Sequence, residues 1–180
     1  MTEPANDARF LEMFPAWLST LGEDANNLGK LVTEDGQDDD VKRYVVGGLN
    51  YLFKSLDLIP DGIDDIGFLD DAFVLRVSAH LAVAEKPEAK NATLERLAED
   101  AKPLKEFMGE DYDRLETYVK GLKKGAARGR TVDEVMDSTE TRNAFAHEVT
   151  AWSQEYQSPS FTRDPKTLIK LKAFLNAKLP

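Results

Sequence analysis

Residues 68–85 are apolar on nearly every side of a helical wheel, with Leu69, Ala72, Phe73, Leu75, Val77, Leu81 and Ala84 distributed round it. A helix that hides its whole circumference has to lie at the centre of a fold, with other elements wrapped about it. It does not read as a membrane span. The apolar stretch 66–84 is interrupted by Asp70, Asp71, Arg76 and His80, which are too costly in hydrocarbon for a spanning helix.

The wrapping elements read as helices too. Val41, Val45, Gly48, Leu49, Leu52, Phe53 and Leu56 keep one helical face over residues 39–56. Leu94, Leu97, Ala101, Leu104 and Met108 mark a segment that Pro103 should kink or split. Tyr112, Leu115, Val119 and Leu122 mark the next, and Gly121, Gly125 and Gly129 then predict a linker. Thr131 with Glu134 fits a capping box that opens a helix carrying Val135, Phe145, Val149, Trp152 and Tyr156. Asp164 followed by Pro165 predicts the start of a final helix with Leu168, Leu171, Leu175 and Leu179 on one side. At the front, residues 10–21 read as helical, with Pro15 as a kink or a new first turn. No run has a β period. The expectation is an all-α single domain of about six to eight helices: an N-terminal helical segment (1–36), a helix-loop-helix core (37–86), and further C-terminal helices (87–180).

A chain of 180 residues can bury a sizeable core unaided. It has no cysteine, which excludes thiolate zinc sites, cysteine nucleophiles and iron–sulfur clusters, and suits a reducing compartment. No basic n-region or apolar h-region opens the sequence, so a cytoplasmic location is expected. His147 has no second histidine at zincin spacing, and His80 reads as a core or boundary residue. Nothing matches a nucleophile elbow or a phosphate loop, and no catalytic residue is nominated.

The net charge of −10 lies wholly in the first half, and residues 34–71 alone carry −8. Lys120, Lys123, Lys124, Arg128 and Arg130 form the opposite pole, with a second basic segment over 163–178. Nucleic acid would meet repulsion from the acidic end, so the expected partner is a basic protein or a second copy of the chain, with the poles attracting within or between molecules. The basic C-terminal helix also suggests weak peripheral association with a membrane surface.

Between the two strongest helices runs Asp57-Leu58-Ile59-Pro60-Asp61-Gly62-Ile63-Asp64-Asp65-Ile66-Gly67-Phe68-Leu69-Asp70-Asp71. Pro60 drives Ile59 out of helical space, so the first helix ends near residue 56 or 57. Asp61-Gly62 is turn chemistry, and Gly67 suggests a backbone angle closed to other residues. The loop is too apolar to hang in water, so it should fold back and gather its aspartates at one end. Together with the preceding Tyr51-Leu52-Phe53-Lys54-Ser55-Leu56, it resembles the signature of the YkvA-like family, domain of unknown function 1232, over residues 41–80. Leu56 stands where that family usually has Ile after a Pro, and Asp64 stands at its usual second Pro. The resemblance implies a bacterial-type helical domain, some relatives being attached to membrane segments, and implies no reaction.

Six aspartates in fifteen residues allow two readings. In one, Asp57 and Asp61 accept loop N–H groups while Asp70 and Asp71 serve the helix start, and the chain is a non-catalytic binding or scaffold module presenting an acidic loop. In the other, Asp57, Asp61, Asp70 and Asp71 hold Mg²⁺ or Ca²⁺ and the chain is a divalent-cation-binding enzyme. The spacing is not that of an EF-hand. Residues 64–70 also resemble the first aspartate-rich motif of prenyl diphosphate synthases, but the chain is short for that cavity and has no second such motif. Asp57, Pro60, Asp61, Gly67, Asp70 and Asp71 are therefore the candidate site residues.

Overall fold

The computed structural model describes residues 4–54, 57–89 and 91–180. They form α1 (Pro4–Thr33), α2 (Asp39–Tyr51), α3 (Leu69–Glu85), α4 (Ala92–Glu99), α5 (Ala101–Met108), α6 (Asp111–Gly121), α7 (Val132–Asp137), α8 (Thr139–Glu155) and α9 (Pro165–Lys178). The fold is all-α, as the periodicity predicts. Eight of these helices run eight residues or more, and α7 is a single short one. Among the described residues, no helix is long and apolar enough to cross a membrane.

Helix α3 takes the central place its composition demands. It packs on α2 along one side and on α4 along another, with α1, α5 and α6 completing the surround. Gly48 lets α2 and α3 cross closely, since a Cβ there would fall 2.9 Å from Ser78 Cβ. Phe10, Phe14 and Trp17 of α1 meet Phe73 of α3 and Phe107 of α5, with ring centroids such as Phe14–Phe107 4.8 Å apart and Phe14–Phe73 5.2 Å apart. Edge-to-face aromatic pairs of this kind contribute about 0.5–1.5 kcal/mol each beyond their buried area. His80 lies between buried Ala79 and Leu81 but is itself exposed, so it does not take the core or boundary position expected of it.

Punctuation residues act much as their chemistry predicts. Asp164 caps α9 by accepting from Lys166 N at 2.8 Å, and Pro165 stands at its first turn. Thr131 accepts from Glu134 N at 3.1 Å, the N-terminal half of a capping box. The segment after it is two helices rather than one, because Ser138 starts α8 by accepting from Thr141 N. The segment holding Pro103 is likewise split, at Asp100, which leaves the proline in the first turn of α5 where its missing N–H costs nothing. Pro15 lies inside α1, which runs unbroken for 30 residues, longer than the front of the chain suggested. In place of the unstructured linker, residues 122–131 make a 3-10 turn and a two-residue antiparallel ladder, β1 (Ala126–Ala127) with β2 (Arg130–Thr131). Arg128 and Gly129 both take positive φ at its tip, as a tight hairpin requires. Two-residue strands are too short for any β period to show in sequence.

The basic pole folds back on the acidic half. Lys123 lies over the Tyr44 ring and Arg128 over the Phe53 ring, at 4.2 and 4.4 Å. Arg163 pairs with Glu12 at 3.1 Å.

Candidate functional site

Helix α2 ends earlier than the apolar period suggested. After Tyr51, the N–H groups of Leu52, Phe53 and Lys54 turn back to carbonyls three residues before, which tightens the last turn. Ser55 and Leu56, part of the motif, lie outside the described residues. From Asp57 the chain folds back: Ile59 and Ile66 are buried, and Pro60 O accepts from Ile63 N at 3.0 Å in a turn. Gly67 is needed for close approach rather than for an unusual φ. A Cβ on it would collide with Asp61 O and stand 3.1 Å from Ile63 O. The left-handed positions are Asp65 and Phe68, with φ of 72° and 67°. Phe68 is held there by its packing on Tyr156 and Trp152 of the α8 end.

Because Phe68 occupies the N-cap of α3, no side chain caps that helix. Asp70 and Asp71 are therefore not caps at a wet helix end. They are 0% and 2% exposed. Tyr51 connects them to the loop: its hydroxyl donates to Asp70 Oδ2 at 2.5 Å and accepts from Leu58 N at 2.7 Å. Ile59 N donates to the same Asp70 oxygen at 3.2 Å. Half-buried Asp57 closes the group. One carboxylate oxygen each from Asp57, Asp70 and Asp71 lies within 4.8 Å of the others. Asp57 Oδ1, Asp70 Oδ1 and Asp71 Oδ2 are buried and have no hydrogen-bond partner among the described residues. Exposed Asp61 stands at the outer side, near enough to Asp57 to raise its carboxyl.

Of the six aspartates, then, four come together. The other two do not: Asp65 accepts from Thr162 Oγ1 at 2.6 Å, and the Asp64 carbonyl accepts from Lys170 Nζ at 3.0 Å.

The electrostatics follow from burial and crowding. Burial, then Asp70 and Asp61, pushes the Asp57 carboxyl up to about 7. Burial raises Asp70 to about 6 even though the Tyr51 and Ile59 donors pull it down. Asp71 is raised well above the carboxylate range by burial and by Asp70, Asp61 and Asp57. Burial also raises Asp61. The Tyr51 hydroxyl is pushed up by burial and by Asp70, so it stays a proton donor. Such a cluster can take up protons or a cation, either of which relieves the like-charge repulsion.

Tyr51 was visible in sequence only as the aromatic opening of the motif. Its hydroxyl was the available signal, since packing alone would be served by Phe. Lys54, which lowers Asp57, and Tyr118 of α6, whose ring stands edge-on to Tyr51 at 6.1 Å, also border the site. Tyr118 carried no signal, because only packing brings α6 to this place.

Comparison with curated proteins and with solved structures finds no match. Residues 41–76, which contain most of α2, the loop and the first half of α3, match the family described as Protein of unknown function (DUF1232).

Proposed function

We propose that the chain is a helical binding module whose Asp57, Asp70 and Asp71 carboxylates hold one divalent cation, Mg²⁺ or Ca²⁺, with Asp61 as an outer oxygen donor. Two observations carry this reading: one carboxylate oxygen from each of the three residues lies within 4.8 Å of the others, and each of the three carboxylates has a buried oxygen with no hydrogen-bond partner among the described residues. That spacing is the reach of oxygens on opposite sides of one ion, about twice the roughly 2.0–2.6 Å bond of Mg²⁺ or Ca²⁺ to oxygen. Burying a carboxylate without a partner costs several kcal/mol, and three of them side by side cost more through their repulsion. A hard cation of charge +2 removes most of that cost. The burial of Asp70 and Asp71 also withdraws these two from any surface that could dock a basic protein, which speaks against an acidic-loop reading that uses them.

The test is a melting series in chelator, in millimolar Mg²⁺ and in millimolar Ca²⁺, against Na⁺ at matched ionic strength. An ion at 100 times its dissociation constant stabilises the fold by about 2.7 kcal/mol, which for a chain of this size raises Tm by about 5–10 °C. The rise should vanish in Asp57→Asn and Asp71→Asn. A shift below about 2 °C in both ions overturns the reading.

A further inference from the structure

A cavity of about 530 Å³ adjoins the acid cluster, between the C-terminal end of α2, the outer face of α6 and the turn that follows it. Lys54, Asp113, Arg114, Tyr118, Gly121 and Leu122 are among its lining residues, with Asp113 exposed to solvent. Its size suits a small organic molecule, and its lining is mainly apolar with a few polar groups, as in ordinary ligand pockets. Those polar groups are unequally available. Arg114 is committed: its guanidinium binds Asp111 at 2.8 Å and donates to the carbonyls of Asn176, Leu179 and Pro180. Lys54 is not. It forms no ion pair among the described residues, and its Nζ lies 3.4 Å from the Tyr118 hydroxyl and over the Tyr118 ring at 5.4 Å. A half-buried ammonium beside a phenol hydroxyl, at the end of an apolar cavity, is complementary to a single anionic head on an apolar body.

We propose that this cavity is a second binding site, for a small amphiphile whose carboxylate or phosphate head rests on Lys54 and Tyr118 while its apolar body lies along Gly121 and Leu122. The same Lys54–Tyr118 pair is the wall shared with the acid cluster, through the Tyr51–Tyr118 ring contact. A cation held by Asp57, Asp70 and Asp71 would therefore strengthen anion binding, and by linkage the anion would strengthen cation binding.

Gly121 supplies a variant that blocks the cavity and leaves the fold intact. It ends α6 with φ −69° and ψ −19°, and a Cβ there meets nothing within 4 Å. The experiment titrates octanoate, octyl phosphate, octanol and octylamine into the full chain in chelator, read by backbone amide NMR shifts. At least one of the two anions should bind at least tenfold more tightly than octanol, and the pair tells carboxylate from phosphate. Lys54→Met should bring that ratio near one. Gly121→Leu should abolish binding while its Tm stays equal to or above wild type. Octanol or octylamine binding as tightly as both anions, or anion binding that survives Gly121→Leu, overturns the proposal. Running the titration without divalent ions separates its failure from that of the cation reading, and repeating it in Mg²⁺ measures the coupling.

Discussion

Helix α3 carries two buried charged clusters scarcely more than a turn apart, and they are solved in opposite ways. Arg76 is fully buried, yet its Nε donates to Asp100 at 3.0 Å, its Nη1 to the Ala72 carbonyl at 3.1 Å, and Asp24 lies 3.9 Å away. Its guanidinium lies over the Trp17 ring at 4.2 Å, and Arg96 pairs with Asp24 to balance the set at two positive and two negative charges. Burial pulls the Arg76 guanidinium down only to about 10, because Asp100 and Asp24 hold it up. Arg76 stays charged and ties α1, α3 and the α4–α5 junction together. At Asp57, Asp70 and Asp71 the charges are all of one sign, with a phenol and a few N–H groups for company. A buried charge whose counter-ion lies in the same chain is a structural element; one whose counter-ion is missing from the chain is a place for something to bind.

Breaking the paired cluster should produce the largest effect. Arg76→Ala leaves Asp24 and Asp100 without their shared partner and should cost about 3–5 kcal/mol in urea unfolding. A loss below about 1 kcal/mol would mean the two clusters do not differ as argued. Next comes the loop that positions the unpaired cluster. Gly67→Val should cost about 1–3 kcal/mol, since its side chain must displace the Asp61 and Ile63 carbonyls. The loss should appear in the same unfolding assay, and the cation-induced Tm rise should shrink with it.

The pH dependence sharpens the comparison. Asp57 and Asp70 hold their protons more tightly when folded, up to about 7 and about 6, against an ordinary carboxyl value near 3.8. The unfolded chain therefore gives up these protons first as pH rises. Their contribution is fully present below about pH 4 and is lost as pH rises through about 6–7. Relative to Asp57→Asn/Asp71→Asn, the cation-free protein should lose on the order of 1–2 kcal/mol between pH 4 and 7, the exposure of Asp57 reducing the effect. Denaturant midpoints across that range measure it, and saturating Mg²⁺ or Ca²⁺ should flatten the difference. An equal slope in both proteins would show that the carboxylates do not crowd. The smallest effect is expected on the surface, where Arg163→Gln removes the exposed pair with Glu12 and should change stability by less than about 0.5 kcal/mol.

Much of the architecture was legible in the residues. Periodicity and punctuation located the helices, because 3.6-residue spacing, Asp164-Pro165 and Thr131 with Glu134 act within a turn or two of themselves. The ends of α2 and the split at Ser138 were less legible, since each depends on what the segment packs against. The gathering of four of the six aspartates at one end of the loop also followed from its apolar residues, while Asp64 and Asp65 stand apart from them. Their state did not. Whether Asp70 and Asp71 face water or the core depends on α6 and α8 closing over the start of α3, and on Phe68 taking the cap position. Arg76 shows the same division: in sequence it is a charge interrupting an apolar run, and only the approach of Asp24 and Asp100, from 52 residues before and 24 after, makes it a partnered one. The helices, the turn chemistry and the presence of four nearby carboxylates are written in the order of residues along the chain, because those are local. Tertiary structure alone decided which charges are paired, which are buried bare and which cavity lies beside them, because desolvation and Coulomb interaction depend on distance in space and not along the chain.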